Sequence, residues 1–323
     1  MFIGLTYDLR SYYLAKGYTT EEVAEFDCEE TIDAIETVLV SMGHTTEKIG
    51  CLQHLINKLQ RGKRWDFIFN IAEGMNGIGR EAQIPALLDA YEIPYTFSST
   101  EVLALALDKG LTNAVMRTYG VRTADFHVVR KINDIKKVHI PFPLFVKPIA
   151  EGTSRGVDRN SKVESYEMLE SKCKFILDTF HQPALVEEFL PGREFTVGIL
   201  GTGDTAKVIG VMEITFTSKA KETSAYTYCN KKLYEDYTEY SIVHEPKVAN
   251  LALKAWQSLY CRGAGRVDVR MNAEGKPCFI EVNPMAGLNP VYSDLCILCN
   301  KVGLPYNTLI ESIVNDVISR IKK

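Results

Sequence analysis

Glu281 and Asn283 stand two residues apart in "FIEVNPMAGLNP", the run from 279 to 290. Strand side chains two apart leave the same face, so an acid and an amide point the same way where a strand runs into Pro, Ala, Gly and Asn. A second carboxylate lies upstream in "GRVDVRMNAEGKPCFIEVN", which reads as two strands around "NAEGK". Val267, Val269 and Met271 alternate with Arg266, Asp268 and Arg270; on the return strand Cys278, Ile280 and Val282 alternate with Phe279, Glu281 and Asn283. Each strand then has one apolar and one mostly polar face, and a one-residue slip would oppose the two. A short loop around 273–276 pairs Asn272 with Pro277; the same register carried back sets Asp268 opposite Glu281 and Arg266 opposite Asn283. Facing carboxylates repel. A divalent cation removes the repulsion, and an oxygen-only donor set suits magnesium, which takes one or two carboxylates plus nucleotide phosphates. On these residues alone, a solvated face with Arg266 and Arg270 neutralising the acids explains the pattern equally well.

A second constellation is "PLFVKPIAEGTSRGV". Lys147 follows a short apolar strand, and Gly152 and Gly156 frame a turn holding Thr153, Ser154 and Arg155. Backbone amides in such a turn can cradle phosphate oxygens while a lysine supplies a point charge. In a P-loop the lysine follows the glycines and opens a helix, so this is a different device; an ordinary surface loop has the same composition. "FNIAEGMNGIGREAQ" has Gly74, Gly77 and Gly79 in the wrong order of spacings for a dinucleotide fingerprint, and no acid ends a following strand at the required distance. It is kept as a substrate-contact loop, with Glu73 as its acid.

These residues must be held by a scaffold, and 323 residues allow two or three packed units. The 46% hydrophobic and 24% charged content suits a globular chain with a sizeable core. A net charge of -4 argues against nucleic acid or an anionic membrane as the main partner. No apolar run has the length of a membrane span, and "MFIGLTYDLR" reads as a buried strand rather than a signal peptide. The eight cysteines are scattered, which points to reduced thiols and a cytoplasmic protein. Cys296 and Cys299 form a Cys-x-x-Cys without a second pair or a preceding strand and loop, a weak basis for zinc or redox chemistry.

Strand-like and helix-like runs alternate, the mark of an α/β protein. Strands are expected at "MFIGLTY" and "WDFIFNIAEG", and helices at "EETIDAIETVLVSMG", "EAQIPALLDAYEI" and, as one unbroken element, "STEVLALALDKGLTNAVMRTYG". "ADFHVVR", "PFPLFVKPI", "QPALVEEFL" and "EFTVGILG" follow as strands, with "ESYEMLESKCKFIL" a helix among them. Then come the strand "KVIGVMEIT", a polar, tyrosine-rich tract over 219–240, a helix over 246–262, the hairpin and one closing helix. The boundaries fall at 1–95, 96–188 and 189–323.

In order along the chain, "IPYTFS", "LALALDKGLT", "PLFVKPIAEGTSRGV", "ALVEEFLPGREFTVGIL", "GAGRVDV" and "FIEVNPMAG" resemble the motifs of the ATP-grasp carboxylate–amine ligases, and within them D-alanine–D-alanine ligase and its near relatives. The likeness runs from about Asp66 to the C-terminus. It implies an ATP-grasp fold, with an N-terminal parallel α/β domain and two α+β lobes gripping ATP. Lys109 and Lys147 match lysines on the nucleotide phosphates, and residues 151–157, with Gly152, Thr153 and Ser154, match the mobile lid. Glu187, Glu188 and Leu190 match the strand that holds adenine, and Glu194 the acid on the ribose. Asp268, Glu281 and Asn283 match ligands of magnesium, two ions, with Mn2+ as a substitute. Arg266 matches the arginine beside the reacting centre. Ser154 joins it as a catalytic candidate, as does Lys231 in the loop that closes on the γ-phosphate, with Lys232 its rival.

The implied reaction is ATP-dependent amide formation between two small amino acids, D-alanine first among them, through an acyl phosphate, with ADP formed, as in peptidoglycan biosynthesis. A homodimer is the family expectation. The family's N-terminal Ser- and Glu-bearing signature is missing; either Glu25, Asp27 or Glu29 replaces its acid, or none does. Ala286-Gly287 replaces the usual Pro-Gly, so Gly287 and Ser293, with Tyr292 competing, are the acceptor-side residues. A related ligase with other substrates, such as an L-amino acid dipeptide or natural-product peptide ligase, and a non-catalytic ATP-binding module are the alternatives.

Overall fold

The computed structural model describes residues 1–216 and 238–321. The chain opens with a three-stranded parallel sheet of order β2-β1-β3, built from β1 (Phe2–Thr6), β2 (Thr45–Gly50) and β3 (Phe67–Asn70). Parallel strands are covered on both faces and so are apolar throughout; all of β3 is buried. After the short α1 (Arg10–Leu14), helices α2 (Glu29–Ser41) and α3 (Leu52–Gln60) make the crossovers. The helical spacing of Ile32, Ile35, Val38 and Leu39 buries that stripe of α2.

Helix α4 (Gln83–Ala90) is followed by the first departure from expectation. The long helix over 99–120 is two helices, α5 (Thr100–Leu107) and α6 (Lys109–Thr118). Asp108 breaks them: its backbone is extended and its side chain accepts the Leu111 N–H at 2.9 Å. An aspartate competing for free amide donors starts a helix better than it continues one. The break sets Lys109 at the first position of α6 with only 7% of its surface exposed.

A four-stranded antiparallel sheet follows, ordered β4-β7-β5-β6 from β4 (Phe126–Val129), β5 (Leu144–Pro148), β6 (Lys162–Val163) and β7 (Ala184–Glu188). Helix α7 (Tyr166–Phe180) packs Leu169, Cys173 and Ile176 against Leu144, Val146 and Val186. The last sheet is antiparallel, β10-β9-β8-β11-β12, from β8 (Glu194–Leu200), β9 (Lys207–Phe216), β10 (Thr238–Ile242), β11 (Ala264–Met271) and β12 (Pro277–Asn283). Strand β10 takes the end of the tract read as loop.

Helix α8 (Pro246–Ser258) covers one face with the fully buried Trp256 and ends four residues earlier than expected, where Tyr260 turns left-handed. The closing helix is also two, α9 (Asp294–Lys301) and α10 (Tyr306–Ile321). Gly198 and Gly210 face each other across β8 and β9; a Cβ on either would press on Leu298 of α9, so the pair lets that helix lie close. Helix α10 returns to the first unit, where Leu309, Ile313 and Val317 share a core with Ile3, Ile32 and Phe69.

The hairpin meets the predicted facing pairs by a different route. Arg266 pairs with Asn283 and Asp268 with Glu281, but the loop end pairs Met271, not Asn272, with Pro277. A bulge at Ile280 absorbs the offset. Phe279 thereby turns into the core beneath α8, correcting its assignment to the polar face, while Ile280 turns out. The seven described cysteines are free. Cys296 and Cys299 are buried on α9; burial pushes the Cys299 thiol up to about 12 and that of Cys296 higher still, which suppresses thiolate chemistry. Among the described residues no helix is long and apolar enough to cross a membrane.

Candidate active site

A cleft of about 310 Å³ lies between the four- and five-stranded sheets, within the range of small-ligand sites. Lys109, Lys147 and Glu187 form one wall, and Gly152, Thr153 and Ser154 overhang it. Glu188, Leu190, Glu194, Asp268 and Glu281, also singled out in the sequence, line it as well. Residues scattered over 173 positions of chain converge because β5, β7, β8, β11 and β12 all end or bend here.

The hairpin carries the acids. Asp268 accepts the Thr196 hydroxyl at 2.8 Å on one oxygen; Arg266 and the Asn283 amide, at 3.4 Å, approach the other. Burial raises the Asp268 carboxyl to about 7 against the pull of Arg266, and Glu281 opposite adds to the rise. Glu281 goes the other way. Burial works upward on it too, but Lys109, Lys147 and Arg266 outweigh burial and hold it down near 2. Two carboxylates that face each other and an amide beside them are hard oxygen donors, and a divalent cation between them would offset the repulsion of the acids. Asp268, Glu281 and Asn283 therefore fit a magnesium-like ion. Among the described residues no three His, Cys, Asp or Glu side chains cluster as a metal site by themselves; here the third donor is the amide.

Lys147 is buried against Glu187 at 2.8 Å, and Glu187 also accepts the Asn113 amide at 3.0 Å. Burial works to lower the Lys147 ammonium, yet Glu187 and Glu281 outweigh it and keep it charged. Lys109 reaches the Glu151 carbonyl at 2.8 Å and Glu281 at 3.3 Å. One ammonium thus ties the start of the overhanging turn to the hairpin. Within the turn, Thr153 (φ 47°) and Ser154 (φ 61°) are both left-handed, which costs non-glycine residues about 1–2 kcal/mol each. Such strain is typical of ligand clamps. The Thr153 hydroxyl is buried without a hydrogen-bond partner among the described residues.

Several expected residues stand apart from this cleft. Arg266 and Asn283 adjoin it through Asp268, and Arg266 also approaches Asp294 at 3.8 Å. Glu73 follows β3, where burial, with Glu81 and Glu25 close by, pushes its carboxyl well up. Gly287 packs on Ser293, whose hydroxyl accepts the Asn289 N–H at 2.9 Å and marks the start of α9. Lys231 and Lys232 lie outside the described residues. Sequence reasoning missed Arg270 as a cleft residue: it lies on the Asp268 face, pairs with Glu194 at 3.0 Å and lines the cleft. Its place two residues beyond Asp268 was the available signal.

The atypical segment 8–27 is closed on itself. The Asp27 N–H donates to the Asp8 carbonyl at 3.1 Å and the Asp27 carbonyl accepts the Arg10 N–H at 3.0 Å, Tyr13 donates to Asp8 at 2.7 Å, and Gly74 donates its N–H to the same carboxylate at 2.8 Å. Burial pushes the Asp27 carboxyl up to about 7, with Thr31 and Arg10 opposing and Asp8 adding. A folded pKa above the unfolded one makes stability fall as pH rises from about 4 to about 7, then level off. Asp27→Asn is expected to add up to about 4 kcal/mol at pH 8 and almost nothing at pH 4. Urea unfolding at both pH values measures this; an equal effect at the two would contradict it.

Three sheets with a cleft between the second and third, walled by lysines and carboxylates, are the architecture of the ATP-grasp proteins. The D-alanine–D-alanine ligase of Bacillus anthracis complexed with ATP has the same fold, with a TM-score of 0.75 at 19% identity over 100% of this chain and 99% of that one. The VanG D-Ala:D-Ser ligase of Enterococcus faecalis gives 0.74 at 19% identity over 97% and 98%. A family model described as D-ala D-ala ligase C-terminus matches residues 113–315. The D-alanine–D-alanine ligase of Actinobacillus pleuropneumoniae serotype 5b is 31% identical over 290 residues, 87% of this chain and 90% of the relative. An uncharacterized protein of Sinorhizobium fredii is 29% identical over 303 residues, 88% and 86%. The chain belongs to the D-alanine–D-alanine ligase family, and is a ligase of the ADP-forming, ATP-dependent kind that uses a divalent metal.

Proposed function

We propose that this enzyme joins two small amino acids, D-alanine first among them, through an acyl phosphate. The observation that carries the reading is the bridge Glu151–Lys109–Glu281, which sets the phosphate-side turn against the hairpin acids in one cleft. Residues 1–95 serve as the substrate-side domain, and 96–188 and 189–323 as the gripping lobes. Lys109, Lys147 and the turn amides hold the phosphates; Glu187, Glu188 and Leu190 hold the base, and Glu194 the ribose. Asp268, Glu281 and Asn283 hold two magnesium ions, which when bound neutralise charge on the transferring phosphoryl group. Arg266 stabilises the oxyanion that develops when the amine attacks, and Ser154 and Lys231, with Lys232 its rival, are the further catalytic residues. Glu73, Gly287 and Ser293 lie on the amino-acid side. The protein works as a homodimer in the cytoplasm and supplies peptidoglycan synthesis.

A ligase for other amino acids is favoured by one observation: Glu25, Glu73 and Glu81 crowd Arg80 on the substrate side. Phosphate release from ATP and magnesium with separate D- and L-amino acid pools decides between the two. D-alanine is expected to give the largest stimulation. Release unchanged by every amino acid in a broad panel sinks both readings.

A further inference from the structure

Arg80 and Glu25 belong to different parts of the substrate-side unit, yet both reach the base of the overhanging turn. The Arg80 guanidinium donates to the Ala150 carbonyl at 2.8 Å and to Glu25 at 2.6 Å, and only 7% of its side chain is exposed. The second Glu25 oxygen accepts the Gly152 N–H at 2.5 Å. Glu151, between them, gives its carbonyl to Lys109. Three successive residues, 150 to 152, are thus held by three side chains from three elements.

Both ends of this contact need close approach. A Cβ at residue 152 would collide with the Glu25 carboxylate, and one on Gly74 (φ 74°) would meet the Arg80 carbonyl at 2.7 Å. Glu25 itself sits between the buried Val23 and Phe26 in the closed segment 8–27. A buried guanidinium that must meet a carbonyl with one nitrogen and a carboxylate with another is geometrically exacting. By contrast, Glu29 is exposed and accepts the Ser11 hydroxyl.

We infer that Glu25 and Arg80 are positioning residues, a latch by which the substrate-side domain holds the base of the lid where it must lie during ligation. The inference rests on the ligase reading for its kinetic consequence. With the lid misplaced, water reaches the acyl phosphate; it adds to the acyl carbon, phosphate leaves, the carboxylate is regenerated, and ATP is spent without an amide bond.

The test uses Arg80→Met, Arg80→Lys and Glu25→Gln in the full chain. The last keeps an oxygen for the Gly152 N–H but removes the charge that Arg80 needs. Trypsin cleavage at Arg155 and Arg159, mapped by mass spectrometry without ligands, is expected to quicken at least about fivefold in Arg80→Met and Glu25→Gln, and less in Arg80→Lys. Under turnover with D-alanine, phosphate per amide bond is expected to rise from near one to several. Variants that melt with the wild type but keep its cleavage rate and its phosphate ratio overturn the latch. If Arg80→Met fails to fold, Glu25→Gln decides. The cleavage arm needs neither ATP nor amino acid, so an inactive wild type would defeat the ligase reading while cleavage still judged the latch.

Discussion

Glu281→Gln is expected to lower magnesium-dependent turnover by on the order of 10²- to 10³-fold while leaving the fold intact. The side chain keeps its shape and an oxygen for Lys109, now 3.3 Å away, but loses the charge that the proposed cation site needs. Lys109, Lys147 and Arg266 outweigh burial and hold the Glu281 carboxyl down. Without it, Asp268, already raised by burial, is left as the sole acid for the metal. Steady-state kinetics against magnesium concentration, with thermal melting alongside, separates the effects. Unfolding of the variant, together with a wild type that binds no magnesium nucleotide, would mean that the hairpin is structural and the assignment wrong.

Lys147→Met is expected to hurt stability and turnover together. It strands Glu187, 5% exposed, with the Asn113 amide as its remaining partner. Breaking a buried ion pair from one side costs about 3–5 kcal/mol. Adding Glu187→Gln to Lys147→Met removes the stranded charge and should recover most of that stability. Turnover should not recover, and the KM for ATP should stay at least about tenfold high, since the phosphate-side charge is still missing. Urea unfolding and ATP titrations on the two single variants and the double variant form the cycle. Recovery of turnover in the double variant would show that Lys147 matters only as a partner for Glu187.

What could be read from the residues was whatever local periodicity encodes. The faces of β11, the stripe of α2 and the strand before Lys147 follow from spacing two and spacing three to four. The bulge at Ile280 was not legible, because one inserted residue leaves alternation intact on either side of it and is placed by Phe279 seeking the core beneath Trp256. The break at Asp108 was legible in retrospect: a good helix-starting residue stood inside an apolar run, but continuous periodicity across it was the louder signal. The facing of Asp268 and Glu281 emerged correctly since the loop offset and the bulge cancel.

Contacts made over long separations stayed out of reach. Nothing near Glu25 announces Gly152, 127 residues away, and nothing near Arg80 announces Ala150. The segment 8–27 has no repeat or motif; its form comes from Asp8, which meets Tyr13, Asp27 and Gly74, and from Arg10, which donates to the carbonyls of Ala24 and Phe26. The family likeness placed Lys109, Lys147, Glu187 and the hairpin acids in one site, and they line one cleft. It could not place the amino-acid side, where Glu73, Gly287 and Ser293 depart from that cleft and the family pattern is weakest.

The most direct measurement follows the oxygen atoms. With D-alanine labelled with oxygen-18 in its carboxylate, the account requires that carboxylate to attack the γ-phosphorus and its oxygen to leave with phosphate when the amine displaces it. Mass spectrometry of the released phosphate is therefore predicted to find one labelled oxygen per phosphate, in step with dipeptide. Amide bonds formed alongside wholly unlabelled phosphate would contradict an acyl phosphate and, with it, the central claim.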